Sequence, residues 1–287
     1  MKIQRKLLAG SCLAVSMLHA VVAAADYPPQ EKVAVVIDAA RAAADTATLQ
    51  GLKRDSFAAE RFQPRPGVSL PYRLLKPASP QPGVRYPLVM VLHGSGAVGD
   101  DNVSQLGPFG LSWSAPAIQE RFPAYILIPQ FPERSANYAN SEADGLLASQ
   151  PGASLEIALQ LLDDVVAHHA VDASRIYLTG FSMGASTAWN ALLLRPDRFA
   201  AAVPFSGIPP ARGTAAQLKD IPLLIVHGNA DTENPIQPDR EMYAALQKAG
   251  AKKVHFREYE GMEHRVPADM VLDARWREWL FAQRRAN

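Results

Sequence analysis

The chain has a single cysteine, Cys12, in 287 residues. It lies in a leader expected to be removed, so the mature chain would hold no disulfide, thiol nucleophile or thiolate metal site. An excess of one charge is also missing, with 29 Lys and Arg against 28 Asp and Glu. Nothing basic enough argues for nucleic acid, and no acidic block argues for a solvating tail. Past the leader, no stretch approaches the ~20 apolar residues of a membrane span. H-E-x-x-H is absent, and the adjacent His168 and His169 diverge on a helix, so no metal is expected. P-loop and G-x-G-x-x-G spellings are lacking as well, and no cofactor is expected.

What is present is ordinary globular material, 48% hydrophobic and 20% charged, which excludes a disordered or fibrous chain. The length suits one large α/β domain or two small ones. Residues 1–25 read as a signal peptide. Lys2, Arg5 and Lys6 precede an apolar run from Leu7 to about Leu18, and Ala23-Ala24-Ala25 offers small residues for cleavage before Asp26. Removal takes away three of the 29 cations and leaves 26 against 28 acidic residues. The expected location is secreted or periplasmic, with no membrane association after cleavage.

Residues 26–67 are Ala-rich and predict a helical extension, best over Glu31–Ala44. From residue 68 to 287 strands and helices alternate. Strands are predicted at Val68–Lys76, Tyr86–His93, Ala124–Phe131, Arg175–Thr179, Phe199–Phe205, Ile221–Val226 and Lys253–Tyr259. Helices are predicted at Ser154–His169, Met183–Leu194, Asp239–Lys248 and Ala268–Arg285. The class is therefore α/β, a mostly parallel twisted sheet with helices on both faces. Two segments, Gly94–Gln119 and Pro132–Gly152, read as long polar loops at strand ends, where open α/β sheets bind ligands.

Gly180-Phe181-Ser182-Met183-Gly184 spells G-x-S-x-G between a predicted strand and a predicted helix. That context marks a serine nucleophile on a strained turn, with glycines where side chains would strike the neighbouring strand and helix. A serine needs a base. Of the later histidines, His227 ends a strand, His255 sits within one, and His264 lies in the loop after the last strand. A catalytic base belongs on such a loop, which selects His264. His227 reads as a core residue or a support beneath the site. Asp231, just past its strand, is the expected acid that orients the imidazole, ahead of Glu233 and Glu263. The turn His93-Gly94-Ser95-Gly96 predicts one oxyanion-hole donor, the N–H of Ser95, and the N–H of Met183 is the second.

HGSG, GFSMG, HGNAD and EGMEH stand in this order at strand ends. Together they resemble the α/β-hydrolase superfamily over about residues 68 to 287. HGSGAVGDDNVSQLG followed by YILIPQFP resembles the secreted esterases allied to polyhydroxybutyrate depolymerases, feruloyl esterases and prolyl-oligopeptidase-like hydrolases. The resemblance implies the α/β-hydrolase fold and a Ser182–His264–Asp231 triad acting through an acyl-enzyme on a small-molecule or polymeric ester. A serine peptidase and a non-catalytic binding protein on the same scaffold are the alternatives. The polar loops point to short-acyl or small aromatic esters rather than long-chain lipids. Trp113, Phe109 and Tyr138 are candidates to line the pocket, Trp113 and Tyr138 foremost.

Overall fold

The computed structural model describes residues 27–35 and 38–285, and the expected signal peptide lies outside them. The strands are β1 (Gln30–Ala34), β2 (Ala58–Arg65), β3 (Val68–Leu75), β4 (Tyr86–Leu92), β5 (Tyr125–Pro129), β6 (Ala136–Asn140), β7 (Leu147–Pro151), β8 (Val171–Phe181), β9 (Ala201–Phe205), β10 (Leu223–Gly228) and β11 (Val254–Glu260). Nine of them form one sheet in the order β1-β11-β10-β9-β8-β4-β5-β3-β2. Neighbours from β1 to β5 run parallel, and β3 is antiparallel to both β5 and β2. β6 and β7 pair separately as a hairpin.

Strands β4, β5, β9 and β10 are buried at every position, as expected where both faces are covered. The pleat divides them by alternate residues. Leu88, Met90 and Leu92 pack with Leu159 and Leu162 of the helix Ser154–His168 and with Trp189 of the helix Met183–Leu194. Val89 and Val91 pack on the opposite face with Trp113, Trp276 and Leu280. Each such aliphatic side chain contributes roughly 1.5–3 kcal/mol on burial.

The expected helical extension over 26–67 is corrected. Among the described residues the segment holds one α-helix, Ala39–Gly51, which buries no residue, and one 3-10 turn, Arg54–Ser56. β1 adds a parallel edge strand to β11, with Gln30 opposite Phe256, and β2 pairs antiparallel with β3. Helix propensity is a weak prior. It lost here to the open edges of β11 and β3, whose backbone groups need partners. There is thus no separate extension, because the sheet takes in both 30–34 and 58–65.

The final helix is also not continuous. It is broken into Ala268–Val271 and Arg275–Ala282. The Arg275 N–H is capped by Asp273, and the fully buried Arg277 spans the break by donating to the carbonyls of Val271 and Asp273. The two polar segments are folded rather than loose. Gly94–Gln119 contains the short helix Pro108–Leu111 and most of Pro116–Arg121, and Pro132–Gly152 contains the β6–β7 hairpin.

Candidate active site

Ser182 stands between the end of β8 and the helix Met183–Leu194, with φ 57° and ψ −122°. A non-glycine residue rarely adopts this region, and tight surroundings must hold it there. The Ser182 N–H donates to the Phe205 carbonyl at 2.9 Å. A Cβ on Gly184 would lie 2.1 Å from the Leu92 oxygen, and one on Gly180 2.6 Å from the Gly184 backbone. The two glycines let helix and strands close on the turn, so the serine hydroxyl stands out beyond the sheet.

His264 and Asp231 arrive on loops after β11 and β10. The His264 Nε2 is 2.8 Å from the Ser182 Oγ, and its Nδ1 is 2.6 Å from the Asp231 Oδ2. A carboxylate only accepts, so Nδ1–H donates to Asp231 and Nε2 is left to accept from the serine hydroxyl. The imidazole packs on Phe181 with centroids 4.7 Å apart. Close approach of the two loops depends on Gly228, where a Cβ would sit 2.1 Å from the Met262 oxygen. His255 is elsewhere, bonded through Nδ1 to the Pro28 carbonyl. Glu233 is 74% exposed, with its carboxylate 3.8 Å from His264 Nε2, and Glu263 is exposed.

Asp231 is held on all sides. Its Oδ1 accepts from the backbone N–H groups of Glu233 and Asn234, and its Oδ2 faces both His264 and His227. Burial would raise its pKa, but hydrogen bonds from His227, His264 and Asn234 outweigh it and hold the carboxyl below its usual value.

His227 lies fully buried beneath Asp231. Its Nδ1 is 2.7 Å from the Asp239 Oδ2, and its Nε2 is 2.9 Å from the Asn234 carbonyl and 3.3 Å from Asp231. Burial opposes a charged ring, yet hydrogen bonds to Asp231 and Asp239 prevail, and its pKa is pushed up to about 9. The sequence marked His227 as a core or supporting residue, but gave no signal for Asp239, which lies 12 residues further on and is buried on the helix Gln237–Lys248.

The turn after β4 faces Ser182, with Gly94 beside it. Ser95 opens a short turn and Met183 opens a helix. The first N–H groups of such elements lack acceptors within them, and a helix N-terminus favours negative charge. His93 fixes this turn. Its Nε2 accepts from the Phe131 N–H at 2.9 Å, so its Nδ1–H donates to the Gly94 carbonyl at 2.8 Å. Burial lowers its pKa, which keeps it neutral. Gln130 braces the next stretch by donating to Asp101 and to the Ala97 carbonyl.

A cleft of about 500 Å³ opens over Ser182, lined by Ser95, Arg134, Asn137, Tyr138, Glu233 and Asn234. Tyr138 is where the sequence placed it. Trp113 is not, and this expectation is corrected: it is fully buried against Trp276, with the Arg277 guanidinium 4.5 Å from its ring. Phe109 likewise packs on Phe205 and Trp276. Aromatic rings of loops can fill a core as well as a pocket, and only the chain path separates the two. Arg134, Asn137 and Asn234 escaped the sequence reading. Their position just beyond β5 and β10 was the one available signal.

The phospholipase/carboxylesterase family model matches residues 150–276. A "probable carboxylesterase" of Oryza sativa subsp. japonica is 27% identical over 216 residues, covering 68% of this chain and 87% of that one. Poly(3-hydroxyalkanoate) depolymerase C of Paucimonas lemoignei is 32% identical over 127 residues, covering 43% of this chain and 28% of the depolymerase. The crystal structure of a thermostable esterase superposes with a TM-score of 0.72 at 31% identity, over 81% of this chain and 64% of that one. This chain thus spans less than two thirds of the depolymerase and of the thermostable esterase. With its sheet order, its strand-end serine turn and these likenesses, the chain has the α/β-hydrolase fold and resembles the serine esterases built on it.

Proposed function

We propose that the protein is a serine carboxylester hydrolase. The observation that carries this is the unbroken chain from Ser182 Oγ to His264 Nε2, and from His264 Nδ1 to Asp231, at the floor of an open cleft. In this reading Ser182 attacks the ester carbonyl while His264 takes its proton. The N–H groups of Ser95 and Met183 receive the developing oxyanion. The imidazolium, steadied by Asp231, then protonates the departing alcohol as the carbonyl–oxygen bond breaks. Water, deprotonated by the same imidazole, releases the acid from the acyl-enzyme.

The cleft favours short-acyl esters. Its lining is polar, with Tyr138 the single aromatic side chain, and it offers no extended apolar groove for a long acyl chain. A panel of 4-nitrophenyl esters from acetate to palmitate tests both points. Turnover is expected to be highest at the short end, and labelling of Ser182 by a fluorophosphonate is expected to be complete. A maximum at about C12 or longer would reject the short-acyl reading, and absence of labelling and turnover would reject the esterase. We also propose that the protein is exported with residues 1–25 removed. Mass spectrometry should then find Asp26 at the mature N-terminus, and an intact Met1 would refute this.

A further inference from the structure

Arg134 differs from several arginines of this protein. Arg175, Arg195, Arg212, Arg240 and Arg257 each have a carboxylate partner. Arg134 lines the cleft with Ser182, and among the described residues no carboxylate pairs with it. Its neighbour Glu133 is engaged elsewhere, accepting from the Ser154 hydroxyl at 3.2 Å.

The base of this side chain is fixed. The next residue, Ser135, is fully buried, with its hydroxyl 2.7 Å from the Thr187 hydroxyl on the helix that begins at Ser182, and its carbonyl accepts from the Gly152 N–H. The guanidinium lies 5.2 Å from the Tyr138 ring centre. That ring is itself held, its hydroxyl 3.1 Å from the Ser186 hydroxyl one turn beyond the nucleophile. A stacked guanidinium still presents its donors at the edge. The opposing wall carries the exposed carboxylate of Glu233 beside His264. The cleft is therefore polarised, cationic on the hairpin side and anionic on the base side.

We propose that Arg134 makes an anion subsite, and that the natural substrate is an ester bearing a carboxylate group, held by the guanidinium while Ser182 attacks the ester carbonyl. This rests on the esterase reading of the same cleft and adds the substrate class. Arg134 is a specificity residue and takes no part in bond making.

The test compares charged and neutral esters matched in length. Mono-(4-nitrophenyl) glutarate is set against 4-nitrophenyl pentanoate for a carboxylate on the acyl side, and 4-carboxyphenyl acetate against phenyl acetate for one on the alcohol side. The ratio of kcat/KM within each pair is measured for wild type, Arg134→Gln and Arg134→Lys, which cancels the intrinsic reactivity of the esters. In at least one pair the charged-to-neutral ratio should fall about tenfold in Arg134→Gln, with part of it kept by Arg134→Lys, because lysine supplies the charge without the planar fork. Added salt should narrow the wild-type ratio. Ratios that stay the same in both pairs, including an equal loss on both members, would overturn the subsite. Calorimetric binding of glutarate separates the two readings. A wild type that turns over no ester but loses glutarate binding on Arg134→Gln would refute the esterase and keep the subsite. Failure of wild type to bind glutarate, together with unmoved ratios, would end it.

Discussion

The two walls of the cleft are built differently. On the base side, Asp231, His227, Asn234 and Asp239 are buried and tied to one another by hydrogen bonds. On the hairpin side, Arg134 and Asn137 are exposed, and Tyr138 is half-buried and held by one side-chain bond. The first arrangement fixes an imidazole within hydrogen-bond reach of a serine, which needs a dry, closely tied network. The second leaves donors open to whatever enters. In the proposed reading chemistry belongs to the rigid wall and selectivity to the adaptable one, so substitutions should separate into large effects on rate and small effects on preference.

The largest expected effect is at the nucleophile. Ser182→Ala should lower kcat by a factor on the order of 10⁶ while leaving the circular dichroism spectrum unchanged. A variant that kept a tenth of the wild-type rate would remove Ser182 from the mechanism. Asp231→Asn keeps the shape but offers His264 an amide that can favour the wrong tautomer. Its loss should be roughly 10⁴ in kcat with little change in KM, and a loss confined to KM would contradict the orienting role.

His227→Gln probes the layer beneath. It leaves the Asp239 carboxylate buried with its partner gone, so unfolding in urea should show a loss of about 3–5 kcal/mol. The sign with pH follows from the raised pKa. The folded protein holds the His227 proton up to about pH 9, and the unfolded chain releases it near 6.5. This contribution is fully present below pH 6.5 and fades as the pH rises through 9. Wild-type stability should therefore fall over that window more steeply than that of His227→Gln, and parallel curves would show that the ring is uncharged.

The smallest effect belongs to the hairpin wall. Tyr138→Phe removes the bond to Ser186 but keeps the ring, and should cost about 0.5–1.5 kcal/mol of stability while leaving the triad geometry intact. A loss as large as that of Asp231→Asn would mean that the hairpin shares in holding the nucleophile, and the contrast between the walls would fail.

Much of this was legible in the residues. The strands buried on both faces announce themselves as continuous apolar runs, and the helix Met183–Leu194 was read with the same bounds that the structure gives it. The serine turn, the loop histidine and the strand-end aspartate were chosen from their places relative to strand ends. The structure brings those three side chains within hydrogen-bonding distance. Reading failed where local composition and long-range partners disagreed. Ala-rich composition near the N-terminus predicts helix, yet 30–34 pairs with a strand 226 positions away. The polar loop around Trp113 predicts a pocket residue, but Trp276 and Arg277 draw it into the core from the far end of the chain.

By itself, then, the sequence determined the alternation of strands and helices, the strained turn at Ser182 and the chain order of Ser182, Asp231 and His264 at strand ends. Those properties follow from spacing and from which residues tolerate a given backbone. Only the tertiary structure decided which polar side chains meet. Ser135 on Thr187, Tyr138 on Ser186 and Arg277 over Trp113 join segments that no periodicity connects. Buried charges and hydrogen-bond donors must find partners wherever the folded chain supplies them, and such pairings depend on distance in space, which a linear pattern does not encode.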